Sequence, residues 1–411
     1  MKFKEFQLKD LLDIQWGDTN TTKSSYVDEG YLAYSASGPD GFLDHFDYDE
    51  DGVVLSAIGA NCGTTFMAKG KWSCIKNTIR FLPKNNQIDI RYFYYLSKRS
   101  NFFPLRGSAQ PFISQTDIRD LYVDIPDIKY QSFIGKTLDE IEQKIAVNNQ
   151  ISHTLESIAQ SIFKSWFNDF DPVHAKSRGE KPFGMDDETA SLFPDSFEES
   201  ELGMIPKGWS WKTVRDIAYV IDCLHSKKPK LLANGFPYLQ LDTISDNGVL
   251  NFENAGYISK EDYEKWTSRI EVMGGDCLIT NVGRVGAVSQ VPNHFKAAIG
   301  RNITAIRPIN RELHQSFLII ALLSDFMKQE ISRNTDPGTI LEALNVKNIP
   351  KLVVPGIPDE ITLRFARMID PIQLKLQELK AMNVNLHKVR DSLLPRLISG
   401  ELQIPEELLA S

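Results

Sequence analysis

The sequence predicts an α+β protein: two similar α/β domains joined by two long antiparallel helices that form a coiled coil, the whole an internal pseudo-two-fold repeat. Three observations carry this. Residues 107–163 reappear 231 positions later as residues 338–394, so that Ile118, Leu121 and Val123 return as Ile349, Leu352 and Val354. Short β-rich runs separated by turns occupy the stretch before each copy. Within each copy apolar residues recur at steps of three and four over more than thirty residues. An ungapped repeat of this length means two similar structural units.

The first domain is expected over residues 1–126. Gly52-Val-Val-Leu-Ser-Ala-Ile-Gly59 and Asn77-Thr-Ile-Arg-Phe-Leu-Pro83 read as strands, and 89–101 as a helix with one apolar face. The first long helix is placed at 127–168, with Leu138, Ile141, Ile145, Ile151, Leu155, Ile158 and Ile162 as its stripe. An Asp-, Glu-, Pro- and Gly-rich interval, 169–204, reads as an extended surface linker anchored by Phe183, Phe193 and Phe197. The second domain, 205–357, repeats the order: strands at 275–283 and 302–308, then a helix at 313–331. The second long helix and tail fill 358–411, with Phe365, Ile369, Ile372, Leu376, Leu379, Leu386, Val389 and Leu393 as its stripe. Each long helix would span roughly 50–60 Å, and pairing with the other is the economical way to bury both stripes. Asn148 and Asn383 interrupt the stripes and would fix register.

Composition excludes several classes. With 42% hydrophobic and 10% aromatic residues the chain has ample core. It contains no apolar run of membrane-spanning length and no signal peptide, so a cytoplasmic protein without membrane contact is expected. Cys62, Cys74, Cys223 and Cys277 form no C-x-x-C pair and read as reduced core residues; the seven histidines show no metal-ligand spacing. The net charge of −8 argues against nucleic acid only until its distribution is considered. Residues 1–51 hold four basic and twelve acidic side chains, whereas 52–125 hold ten basic and four acidic ones. A local positive surface is what phosphate contact requires.

Enzyme signatures fare poorly. Glu142-Gln-Lys144 has a nuclease-like spacing, but two residues apart on a helix the pair faces different ways, and the repeat has Gln373 in place of Glu142. Phe170-Asp-Pro-Val173 lacks the second proline and the aromatic of a methyltransferase tetrapeptide, and no glycine-rich cofactor turn accompanies it. No catalytic or metal-binding residue is therefore assigned.

Candidate DNA contacts come in matched places. Gly59 and Asn61 lie in a glycine loop whose counterpart carries Arg284. Lys76-Asn77 is matched by Arg301-Asn302, side chains suited to base edges. Arg106, Ser108 and Gln110 open the repeated block, as Thr339 does in the second copy. Lys69 and Lys71, with the basic loop Lys227, Lys228 and Lys230, would add phosphate contacts. Each of these also has an ordinary reading as a turn, a cap or a solvated surface. Phe163, Trp166 and Phe167 at one helix end, and Leu393, Leu394 and Leu397 at the other, would be buried or would dock partner subunits.

Five motifs in order resemble the specificity subunit of type I restriction-modification systems: Gln110 to Ile118, Val123-Asp-Ile-Pro126, Ile162 to Pro172, Gly203-Met-Ile-Pro-Lys-Gly-Trp209, and Ser392 to Leu402. The resemblance spans essentially the whole chain. It implies two target recognition domains, each contacting one half of a bipartite site on double-stranded DNA, held apart by a coiled-coil ruler. It also implies a non-catalytic chain that positions two methyltransferase (M) subunits for adenine methylation and works with restriction (R) subunits. S-adenosylmethionine, ATP and Mg²⁺ would belong to those partners, with no cofactor in this chain. The second copy lacks the Gln-Pro of the first block, which puts transfer of function between the two loops in doubt. The residues leave open another restriction-methylation effector as partner, a stand-alone DNA-modifying enzyme, or a scaffold.

Overall fold

The computed structural model describes residues 1–107, 110–336 and 341–409. They form two compact units, Met1–Asn148 with Met382–Ser411, and Asn149–Ala381. The sequence boundaries treat the long helices as separate elements; here each helix, Ile128–Phe167 and Asp359–Ile398, gives one part to each unit.

In the first unit, Leu12–Trp16, Thr78–Pro83, Gly52–Ser56 and Thr65–Ala68 make an antiparallel sheet in that order. A second sheet runs Gly38–Leu43, Tyr31–Ser35, Lys71–Cys74, Tyr48–Asp49, with a parallel pair at its centre. The second unit repeats both. Ala218–Asp222, Ile303–Pro308, Cys277–Thr280 and Val288–Gln290 form the first sheet, extended by Gly248–Val249. Gly256–Ile258, Phe236–Leu239, Lys296–Ile299 and Val272–Met273 form the second, again with a parallel central pair. The central strands Gly52–Ser56 and Cys277–Thr280 are buried throughout.

Details depart from the sequence reading where capping chemistry intervenes. The single helix expected at 313–331 is two, Arg311–Leu323 and Asp325–Arg333. Ser324 leaves the helical region and its hydroxyl accepts from the Met327 N–H, restarting the helix as an N-cap. Interval 169–204 is not a bare linker. It carries helices Asp171–Ser177 and Asp187–Leu192 and the start of a hairpin, and it places Val173, Ala190 and Phe193 in the core of the second unit. Phe193 is an anchor and Phe197 is half-buried, but Phe183 stands fully in solvent.

The long helices run antiparallel within each unit. In the first, Glu142 meets Arg390 at 2.9 Å and Asn148 Nδ2 donates to Asn383 Oδ1 at 2.7 Å. In the second, Glu156 meets Lys380 at 3.3 Å and Phe163 packs on Phe365. The buried seam of the first helix passes through Leu138, Ile145, Asn148, Ser152, Ala159 and Phe163. Ile151 and Ile158, read from sequence as seam residues, are exposed, as is Val389 of the second helix. The seven-residue spacing places small Ser152 and Ala159 inward, and the larger isoleucines lie one position off the seam.

The α/β part of the first unit is tied to its long helix through Asp89. This carboxylate caps helix Ile90–Ser97 by accepting from the N–H groups of Arg91 (2.9 Å) and Tyr92 (3.2 Å), and it also accepts from the Ser132 hydroxyl at 2.8 Å. Burial pushes its pKa up, but hydrogen bonds from Arg91 and Ser132 and the Arg91 charge outweigh this and hold it below the usual carboxylate range.

Two predictions follow from these contacts. Asn148→Leu should destabilise the protein by about 1–3 kcal/mol, because it removes a buried donor from Asn383, while the double change Asn148→Leu/Asn383→Leu should be close to neutral. Denaturant unfolding of both variants measures the difference; equal losses in single and double variants would contradict the assignment. Because the Asp89 carboxyl is depressed, its stabilisation is complete above the ordinary carboxylate pKa and is lost as the pH falls through the depressed value. Asp89→Asn should flatten the acid limb of a plot of unfolding midpoint against pH, and an unchanged acid limb would refute this.

Candidate nucleic-acid interface

One end of the sheet containing Gly52–Ser56 in the first unit, and Cys277–Thr280 in the second, is built by the same backbone hydrogen bonds. In the first unit the turn Ile75–Thr78 carries Asn77 at φ 69°, a left-handed conformation that asparagine tolerates better than most residues. Its carbonyl accepts from the Ala57 N–H at 3.0 Å. The Ala57 carbonyl accepts from Ile113 at 2.9 Å, and the Gly59 N–H donates to Pro111 O at 3.1 Å. Strand Leu12–Trp16 reaches the same end and passes close beneath the turn. A Cβ on Gly17 would lie 2.3 Å from the Ile75 carbonyl oxygen, so only glycine fits.

The second unit reproduces each bond. Asn302, at φ 66°, accepts from the Asn281 N–H at 3.0 Å. The Asn281 carbonyl accepts from Leu344 at 2.9 Å, and the Gly283 N–H donates to Glu342 O at 3.1 Å. The side chains of Pro111 and Glu342 differ entirely, yet both serve through their carbonyls. The missing Gln-Pro therefore does not alter the backbone geometry of the second edge.

Side chains fall on this frame unevenly. Gly59, Asn61, Lys76, Asn77 and Arg106 come together at the first unit's edge. Asn61 Nδ2 donates to Ala36 O at 3.3 Å, and Arg106 exchanges two backbone bonds with Phe112 while its guanidinium reaches Asp117 at 2.5 Å. Gln110 is exposed beside them. Ser108 and Thr339 lie outside the described residues. The Gly59 N–H, engaged by Pro111, is unavailable to a phosphate; the loop it opens is the hairpin joining Gly52–Ser56 to Thr65–Ala68.

Lys69 and Lys71 do not join the group. They sit at the opposite end of the strands, Lys69 on Asp139 at 3.0 Å, Lys71 over the Phe46 ring at 4.6 Å. An exposed ion pair is worth only about 0–1 kcal/mol and would not by itself withhold a lysine from DNA. Both lysines stand apart from the edge where Lys76 and Arg106 lie.

In the second unit Lys228, Arg301 and Asn302 line one cleft of about 400 Å³, together with Tyr238, Gln240, Leu241, Asp242 and Gly300. Lys227 and Lys230 are exposed on the same loop. Arg284 is committed within the unit, donating to Ile244 O at 2.7 Å and pairing with the Asp246 carboxylate. Sequence reasoning missed Gln240 and Asp242, whose approach to Arg301 depends on the parallel pairing of Phe236–Leu239 with Lys296–Ile299. Asp222, Cys223 and His225 bring their ligand-type atoms within 4.8 Å of one another. Within that group Asp222 is hydrogen-bonded to His225 at 2.7 Å, and Arg269 stands 3.7 Å from the same carboxylate.

The residues expected to dock partners are interior. Phe163 (1% exposed), Trp166 (6%) and Phe167 (0%) pack with Phe193, Trp209, Phe317 and Phe365 in the core of the second unit. Leu397 (4%) is in the first unit's core, with Leu393 and Leu394 half-buried against it. Fully burying such a side chain contributes about 1.5–3 kcal/mol to folding, so Phe163, Trp166, Phe167 and Leu397 serve the core, while Leu393 and Leu394 keep part of their surface exposed. Glu142 of the nuclease-like spacing is likewise engaged, paired with Arg390. No helix among the described residues is long and apolar enough to cross a membrane.

Comparison with known proteins agrees with this architecture. Residues 1–157 match a family described as the type I restriction modification DNA specificity domain. The HindI type I restriction enzyme specificity subunit of Haemophilus influenzae is 27% identical over 340 residues, 72% of each chain. The MjaIX specificity subunit of Methanocaldococcus jannaschii is 25% identical over 362 residues, 86% of this chain and 78% of that one. The crystal structure of a type I restriction-modification S subunit from M. genitalium shares the fold, with TM-score 0.67 and 17% identity over 97% of this chain and 96% of that one. Along most of its length the chain is similar in sequence to specificity subunits of type I restriction-modification systems, and it shares the fold of one of them.

Proposed function

We propose that this chain is the DNA-recognition subunit of a type I restriction-modification complex. Each unit contacts one half of a bipartite duplex site, and methyltransferase subunits docked on the chain methylate adenine. The observation that supports this most directly is the duplicated edge: the same left-handed asparagine and the same three backbone bonds occur in both units, each beside unpaired basic side chains. Duplex DNA presents two equivalent strands, and a protein with two equivalent edges suits it. Lys76, Lys227, Lys228, Lys230 and Arg301 make no hydrogen bond or ion pair with other described residues and are available to phosphates or bases.

The chain itself is non-catalytic in this reading. Docking falls to the outward faces of the long helices, where Ile151, Ile158, Met368 and Leu374 of the second unit, and Val147, Met382 and Val389 of the first, remain exposed. With a net charge of −8 the chain depends on those partners for much of the positive surface around DNA. S-adenosylmethionine, ATP and Mg²⁺ act in the partners, and restriction subunits join the same assembly in the cytoplasm.

Mapping methylated adenines across the host genome, with and without this gene, tests the proposal. The expected result is loss of one split motif, two short specified halves around a fixed run of unspecified bases. An unchanged map with the methyltransferase subunits expressed would overturn it. Ile158→Glu and Leu374→Glu should reduce recovery of M subunits in a pull-down with the intact chain; undiminished recovery would refute the helix faces as docking surface.

A further inference from the structure

The two units share a backbone frame but differ in the side chains they present, and the difference is concentrated in the cleft of the second unit. Resting on the DNA-recognition reading above, we propose that Arg301 and Gln240 are specificity-determining residues for the half-site read by the second unit, Arg301 taking a guanine edge and Gln240 an adenine edge, with other side chains at the matched positions of the first unit.

Three observations carry this. First, the cleft is built for mixed recognition. Its lining offers a guanidinium (Arg301), an amide (Gln240), a carboxylate (Asp242) and an ammonium (Lys228) on a buried floor that includes Tyr238. A surface meant only for phosphates would not include Asp242, which repels them. A base pair presents donors and acceptors side by side, and a carboxylate can accept from a cytosine amino group while arginine spans the guanine opposite.

Second, the polar groups are unspent. Neither the Arg301 guanidinium nor the Gln240 amide is hydrogen-bonded to another described residue, although Gln240 is half-buried. Arg284, in the adjacent loop, shows what a structural arginine looks like here: it binds Ile244 O and the Asp246 carboxylate. Arg301 instead lines the cleft with its guanidinium unbonded, next to the left-handed Asn302 of the turn.

Third, the first unit lacks the equivalent groups. Matched hydrogen bonds, Gly300 N–H to Leu239 O at 2.8 Å and Ile75 N–H to Tyr34 O at 2.9 Å, fix the correspondence. Gln240 then corresponds to Ser35, Asp242 to Ser37, and Arg301 to Lys76. Ser35 is buried and its hydroxyl is spent on Asp40 at 2.7 Å. Lysine offers a mobile point charge where arginine offers a planar fork, so the first edge cannot read the same base in the same way.

The test uses the full chain assembled with its methyltransferase subunits, with methylated motifs mapped for wild type, Arg301→Ala, Arg301→Lys and Gln240→Ala. Arg301 is exposed and unpaired, so its replacement should leave folding intact, and Arg301→Lys preserves the charge. The expected result is relaxation at one position of one half-site in both Arg301 variants. Discrimination against the wrong base there should fall by about tenfold to a hundredfold. Gln240→Ala should relax a second position in the same half, with the other half unchanged. If all three variants keep the wild-type motif at every position, the assignment is overturned while the recognition reading stands. Relaxation in both halves would also overturn it. If the wild-type assembly itself yields no bipartite motif, the recognition reading fails and this inference fails with it.

Discussion

A single backbone hydrogen bond, made twice, organises the candidate interface. In each unit the carbonyl of a left-handed asparagine, Asn77 or Asn302, accepts from the residue that ends the neighbouring strand, Ala57 or Asn281. That bond joins the turn before one strand to the loop after another. The adjacent carbonyls then recruit the segments at 111–113 and 342–344. Buried backbone groups must be paired, so the lattice determines where the chain goes at this end of the sheet. The exposed side chains beside it remain free to vary. Under the proposed function this separates recognition from folding: the frame holds the position, and Lys76 or Arg301 would supply the chemistry.

The long helices follow the same division. Their inward positions keep a seven-residue spacing with an amide pair, Asn148 and Asn383, and charged pairs within the seam, Glu142 with Arg390 and Glu156 with Lys380. Burial lowers the Lys380 pKa, with Glu156 opposing the shift, so this pair is retained at an electrostatic cost. Polar groups placed in an apolar seam reduce stability but penalise misregistered pairings. That is a useful trade in a chain whose two units each depend on both helices.

Much of this was legible in the sequence. The duplicated block, the order of strands and helices, and the two asparagine interruptions are local or periodic signals, and periodicity survives folding. The failures have a common cause. Apolar character alone puts Ile151 and Ile158 in the seam, whereas Ser152 and Ala159 occupy it because the helical phase puts them there. Phe163, Trp166 and Phe167 were candidates for docking, but their burial depends on Phe193, Trp209, Phe317 and Phe365, which are distant in sequence. Lys69 and Lys71 lie at the strand ends away from the other candidates, because sequence adjacency does not say which end of a strand a residue occupies. Gln240 was invisible because its place beside Arg301 follows from a parallel pairing between segments some sixty residues apart.

The central claim is that each unit governs its own half of the DNA site. Exchanging residues 1–126 for the corresponding segment of another type I specificity subunit, and mapping adenine methylation by the reassembled complex, tests it most directly. The account predicts that one half of the motif changes while the other half is retained. A change in both halves, or in neither, would contradict it.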